Sequence, residues 1–229
     1  MPDTDWHLDR NYAFAAALDA TVISAKVSRY VIDLNRAAAG EWLYPGMTTT
    51  SLCPLETFRG QEIYREGRAP DEKEVERRIA THWRPYHFAL QDELARLRAQ
   101  HAHVLLWTAH SIASLLPRLF QGKLPDFKFG TADGASCTGD VVKGAIDPMR
   151  ESQVSWVLNG RFKGGFITRR YGAPVGGIHA LQLEMSHSLY PEESAQFWWR
   201  PDLADKAMPV VQACVQGSLT ALVRLPSAA

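Results

Sequence analysis

The chain has 229 residues, enough for one substantial domain and with nothing that calls for a second. Its 25 Lys and Arg balance 25 Asp and Glu, so the formal net charge is zero and there is no electrostatic footprint for nucleic acid. No apolar run approaches the roughly 18 residues of a membrane span, and Met1 to His7 is acidic and aromatic, unlike a secretory leader.

In chain order, Asp9 to Leu18 has helical spacing, and the short β-branched run Thr21–Ala25 predicts a strand. Ser28 to Arg36 alternates charged and apolar residues around a strand-like core. Glu41 to Gly67, with Pro45, Gly46, Pro54 and Gly60, reads as a long loop ordered by Trp42, Tyr44, Phe58 and Tyr64. Pro70-Asp71-Glu72 opens a helix with acidic residues against the helix dipole. Val75, Ile79 and Trp83 form its stripe, Pro85 is expected to kink or break it, and Leu90, Leu94 and Leu97 resume the stripe to Gln100. Ala102–Thr108 predicts a buried strand, Pro117–Gly134 a loop, Val141–Arg150 a weak helix, and Val154–Tyr171 strand-like residues broken by glycines. His179–Ser186 predicts a second buried strand and Pro201–Leu225 a closing amphipathic helix. Alternating strand and helix signals give an α/β fold with a mostly parallel sheet flanked by helices.

Chemistry concentrates where strands end, which is where open α/β sheets place their ligands. His110 and Ser111 follow one apolar strand, and Glu184 lies inside the other, where an unpaired carboxylate is costly to bury. Imidazole and carboxylate together suit metal-assisted hydrolysis. The competing readings are a histidine donating to a carbonyl and a glutamate paired with a core arginine. Asn159-Gly160-Arg161-Phe162-Lys163-Gly164-Gly165 offers two cations and an amide among glycines, either an anion site or an exposed hairpin. Arg29 and Arg36 flank the 28–36 segment and are suited to clamping carboxylates. Asp3, Asp5, His7 and Asp9 crowd possible ligands into seven residues, against which stands a frayed, solvated terminus. There is no GxGxxG, Walker loop, HExxH or CxxC. Cys53, Cys137 and Cys214 are widely separated and fit reduced thiols in a cytoplasmic protein.

These segments resemble the N-formylglutamate amidohydrolase family. The resemblance runs from Asp3-Thr4-Asp5-Trp6-His7-Leu8-Asp9-Arg10 to about Phe197. It passes through Ser28-Arg29-Tyr30-Val31-Ile32-Asp33-Leu34-Asn35-Arg36, Leu43-Tyr44-Pro45-Gly46, Pro117-Arg118-Leu119-Phe120, Leu124-Pro125-Asp126-Phe127 and Asp133-Gly134-Ala135-Ser136-Cys137. It continues in Asn159 to Arg169 and His179-Ala180-Leu181-Gln182-Leu183-Glu184. The family is similar to the zinc carboxypeptidase and aspartoacylase group, which implies a zinc-exopeptidase-like α/β fold with a metal at the carboxyl edge of the sheet. The implied reaction is hydrolysis of N-formyl-L-glutamate to formate and L-glutamate, the last step of one route of histidine breakdown.

The resemblance further implies zinc, or another divalent ion, on His110, with Asp3 or Asp5 as carboxylate ligand and Glu184 as the general base. Arg161 would steady the developing oxyanion. Arg29, Asn35, Arg36, Asn159, Lys163 and Ser111 would surround a small acidic substrate, with Asp33 behind them. The sequence departs from the family in lacking an upstream Pro-His-x-Gly segment, so an N-terminal truncation without the first strand is expected. It also carries Thr108 where Asp is expected and Arg170 where His is more usual. These departures support an alternative, a relative that binds acidic N-acyl amino acids without turnover; a deacylase of another N-acyl amino acid is the third reading. The sequence sets no oligomeric state.

Overall fold

The computed structural model describes residues 1–40, 50–194 and 196–226. The N-terminal segment leads into α1 (Leu8–Asn11) and a 3-10 turn, Ala13–Leu18. Thr21 to Ala25 joins no sheet, and the 28–36 segment is a series of turns. Val22 is 66% exposed, so this β-branched run lacks the half-buried pleated surface on which strand preference depends. The predicted strands at 21–25 and 28–36 are therefore absent.

α2 (Glu72–Arg78) starts on Asp71, whose side chain accepts the Glu74 N–H. It passes through a π-helical turn, Ile79–Trp83, into α3 (Arg84–Arg98), with Pro85 in the first turn of α3. The expected break at Pro85 is absorbed as this wider turn, because proline is tolerated where its missing N–H would lack a partner.

Four strands form a mixed sheet: β1 (Val104–Ile112), β2 (Phe127–Gly130), β3 (Trp156–Leu158) and β4 (Ile178–Ser186), in the order β1-β4-β2-β3. β1 pairs with β4 and β2 with β3 in parallel, while β2 and β4 run antiparallel. β2 lies in the segment expected to be loop. β1 extends past Thr108, so His110 and Ser111 belong to the strand rather than following it.

Side chains alternate across a strand and partners in register share a face, which gives this sheet two unlike sides. On one, Leu181, Leu183, Met185, Phe127 and Phe129 are fully buried against Val141, Ala145, Val211 and Cys214. Those residues come from α4 (Gly139–Ile146) and α6 (Pro201–Leu222). The opposite side presents Thr108, His110, Lys128, Gln182, Glu184 and Ser186. Against it lies α5 (Phe166–Tyr171), docked by a Thr108–Thr168 hydroxyl bond of 3.0 Å and a Gly165 N–H to Gln182 Oε1 bond of 2.7 Å. A Cβ on Gly130 would stand 2.4 Å from the Gly164 nitrogen, so the glycines let the 159–165 loop lie directly on the sheet. No described helix is long and apolar enough to cross a membrane.

Candidate active site

The polar side of the sheet is charged at one level. His110 of β1 is in register with Glu184 of β4, and Glu184 with Lys128 of β2. Three adjacent strands thus set imidazole, carboxylate and ammonium side by side near the carboxyl ends of the parallel pair β1 and β4.

Asp5 joins this row from the N-terminal segment. Its Oδ1 accepts the Ser111 N–H at 2.6 Å, and its Oδ2 lies 3.6 Å from His110 Nδ1. Burial works to raise the Asp5 carboxyl. The His110 imidazole, Arg29 and the Ser111 N–H together outweigh it and hold the group below the usual carboxylate range. Burial works to lower His110, and the neighbouring Asp5 and Glu184 carboxylates reverse that, so the imidazole sits above its ordinary value. Asp5 therefore favours a proton on His110 Nδ1.

Asn35 fixes the other side of the ring. Its Oδ1 accepts the Ile167 N–H at 2.9 Å, which leaves Nδ2 to donate to His110 Nε2 at 3.1 Å. The ring proton of the neutral imidazole then sits on Nδ1, facing Asp5. Asn35 itself is held by Asp33 Oδ1, which accepts its backbone N–H at 2.9 Å, while Asp33 Oδ2 pairs with Arg29 at 2.9 Å and Arg36 at 3.8 Å. Burial favours the neutral form of Asp33, and these two guanidiniums override it, keeping the carboxyl below its normal range. Thr108 bonds Thr168 rather than His110, and it is Asn35 that holds the ring.

Glu184 is 8% exposed and has no ion-pair partner among the described residues. Its burial raises the carboxyl above the usual range, with His110, Lys128 and Arg29 pulling against that rise. Neither competing reading survives: His110 meets a carboxylate and an amide rather than a carbonyl, and Glu184 lies in the field of Arg29 without pairing to it.

The other expected site residues make the following contacts. Asp3 is buried, and its Oδ2 accepts from Tyr30 Oη at 2.8 Å and the Phe58 N–H at 2.7 Å, tying two loops to the N-terminus. Of the two candidate carboxylates only Asp5 lies beside His110, and this terminus is packed rather than frayed. Arg36 spends its guanidinium on the Thr50 carbonyl, the Thr50 hydroxyl and its own neighbour's carbonyl. Asn159 accepts the Thr131 N–H and donates to the Thr131 hydroxyl, both at 2.8 Å, and so holds a turn. Lys163 pairs with Asp133 at 3.1 Å at the surface. Arg161 lies over the Phe120 and Phe162 rings, 5.6 and 6.0 Å from their centroids. Ser111 faces the other side of β1, its hydroxyl 3.2 Å from His187 Nε2. Leu43-Tyr44-Pro45-Gly46 lies outside the described residues.

Two residues escaped the sequence reading, Lys128 and His187. The alternation Phe127-Lys128-Phe129 was the available signal for β2. His187, in a 3-10 turn after β4, carried none.

The donor pair fits a divalent metal in part. Two ligands about 2.1 Å from a tetrahedral ion lie about 3.4 Å apart, close to the 3.6 Å between His110 Nδ1 and Asp5 Oδ2. Among the described residues no third His, Cys, Asp or Glu completes a metal-holding group.

The α/β sheet carries a buried carboxylate beside an acid–imidazole pair, an arrangement suited to a hydrolytic enzyme. The family model for N-formylglutamate amidohydrolase matches residues 1–191, and the chain belongs to that family. It is 48% identical over 220 residues to N-formylglutamate deformylase of Pseudomonas putida, covering 96% of this chain and 82% of that one. It is 46% identical over 221 residues to the Pseudomonas aeruginosa enzyme of the same name, with the same coverage. Among solved structures it resembles N-formylglutamate amidohydrolase from Ralstonia eutropha JMP134, with a TM-score of 0.79 at 24% identity over 96% of this chain and 84% of that one. An Agrobacterium tumefaciens protein aligns with a TM-score of 0.72 at 15% identity, covering 96% and 78%. These two likenesses speak for the fold.

Proposed function

We propose that the protein hydrolyses N-formyl-L-glutamate to formate and L-glutamate, as the last step of a route of histidine breakdown in the cytoplasm. The observation that carries the reading is Glu184, a buried carboxylate with its acidity lowered, set in register between His110 and Lys128. A base serves best when its pKa lies near the working pH, and burial moves Glu184 that way. Glu184 takes a proton from water as the oxygen attacks the formyl carbon. When the C–N bond breaks, Glu184 returns that proton to the departing amide nitrogen. Arg29, raised further above its normal range by the acidic groups around it, stays cationic and steadies the developing oxyanion together with Arg161. Arg161, beside Phe120 and Phe162, would also receive a substrate carboxylate in this reading.

His110 and Asp5 would hold zinc, or another divalent ion, which supplies polarisation of the formyl carbonyl and a bound water with pKa near about 7.

Formate release tests the reading. Glu184→Gln is expected to lower turnover of N-formyl-L-glutamate by about 10²–10⁴-fold while leaving metal content and melting behaviour near wild type. Wild-type turnover in that variant removes Glu184 from the chemistry. A preference for N-formyl-L-aspartate over the glutamate compound in the native chain would overturn the substrate.

A further inference from the structure

Packing does not explain Lys128 on the polar sheet face. It is 1% exposed, in a strand whose neighbours Phe127 and Phe129 face the opposite layer. An ammonium carries three N–H donors. Here it donates to one neutral acceptor, Ser186 Oγ at 3.3 Å, and that hydroxyl donates onward to the Pro125 carbonyl at 3.1 Å. Lys128 forms no ion pair among the described residues. Burying an ammonium on such terms costs more than burying a methionine of similar volume.

What offsets the cost acts through space. Glu184 on β4, Asp126 at the start of β2 and Glu193 in the loop after β4 all bear on Lys128, with Glu184 first among them. Asp126 accepts the Ser155 N–H and hydroxyl, and Glu193 accepts the Ser114 N–H and hydroxyl. Glu184, in register with Lys128, has no such partners of its own among the described residues.

We propose that Lys128 is a positioning residue for Glu184: its ammonium, across the carboxylate from His110, balances the buried charge, and the chain retains it at the expense of fold stability. This rests on the reading of Glu184 as the base. A lysine kept for structure would stabilise the fold; one kept for Glu184 weakens the fold and raises the rate. The two roles therefore move stability and turnover in different combinations.

The test uses Lys128→Met, Glu184→Gln and the double variant of the full chain, each measured by melting temperature and by kinetics on N-formyl-L-glutamate. Lys128→Met is expected to melt at or above the wild-type temperature, with kcat down about 10- to 100-fold and KM within about threefold. Unchanged kcat overturns the proposal, and so does a kcat loss accompanied by a lower melting temperature. The melting temperatures also form a substrate-free cycle. Once Glu184→Gln has removed the charge to be balanced, Lys128→Met is expected to raise the melting temperature by several degrees more than it does in the native chain. Equal shifts in the two backgrounds overturn the proposal even if N-formyl-L-glutamate proves not to be the substrate. A native chain that leaves N-formyl-L-glutamate intact while the cycle shows coupling overturns the substrate reading alone.

Discussion

Asn35 shows how little freedom the site allows a single side chain. Its amide is clamped between the first turn of α5 and His110, and a Cβ on Gly165 would stand 2.2 Å from its Nδ2. Gly165 is needed for that space rather than for its backbone angles, since its φ is −77°. Gly165→Ala is expected to push the amide off His110 and to lower kcat/KM by about 100-fold, the typical consequence of a displacement near 1 Å. Steady-state kinetics alongside a melting curve check this; wild-type kcat/KM in a folded Gly165→Ala protein would show that Asn35 does not set the ring. The residue types at this site stood out in the sequence, because His110, Asp5 and Glu184 are polar groups in apolar or crowded surroundings. The duties of Asp3, Arg36 and Asn159 were not readable there, because each is decided by a partner 14 to 55 residues away.

Among the elements, the contact of α4 with α6 supports the sheet from its apolar side. The helices cross at Gly144 and Gly217, where a Cβ on Gly217 would stand 2.2 Å from the Gly144 carbonyl oxygen. The atom it would meet is backbone, so no side chain can swing aside. Gly217→Ala gains up to about 1 kcal/mol of helix propensity, but forced overpacking costs about 1–3 kcal/mol, and a rigid backbone contact belongs at the upper end. The expected net loss is about 1–2 kcal/mol, or about 2–8 °C in melting temperature for a chain of this size. A Gly217→Ala protein that melts higher than wild type would mean that the crossing is looser than described. Long periodic elements such as α3, α6 and β4 were readable from the chain because their own spacing determines them. β2 and β3 were harder to read: at four and three residues they lean on β4 and on each other, and the alternation Phe127-Lys128-Phe129 was a short local signal for β2 alone. The reverse held for Thr21–Ala25, where strand-forming residues found no neighbouring strand.

At the scale of the whole molecule, one sheet separates two environments: a dry face that carries stability and a charged face that carries chemistry. Three histidines sit in buried places where protonation is opposed. Burial pushes His87, His179 and His187 down to about 4, against about 6.5 in an unfolded chain. Above pH 6.5 they are neutral in both states and do not affect stability. Between 6.5 and about 4 the unfolded chain takes up protons that the native chain refuses, so the fold loses about 1.4 kcal/mol per pH unit for each histidine. His110 has the opposite sign. Its folded value is raised, so its contribution is present below 6.5 and lost as pH rises through that raised value. Below 6.5 only the three lowered groups change their protonation between the states, and they leave a net loss on acidification. The urea midpoint is therefore expected to fall steeply from pH 6.5 to 5, and to decline on the alkaline side where His110 gives up its proton. His87→Gln, at a site where the ring bonds the Tyr171 hydroxyl and the Leu34 carbonyl, is expected to make the acid side of that curve shallower by about one group. A midpoint that stays flat down to pH 5 would mean that these histidines are protonated in the native state, with partners that the neutral arrangement does not provide.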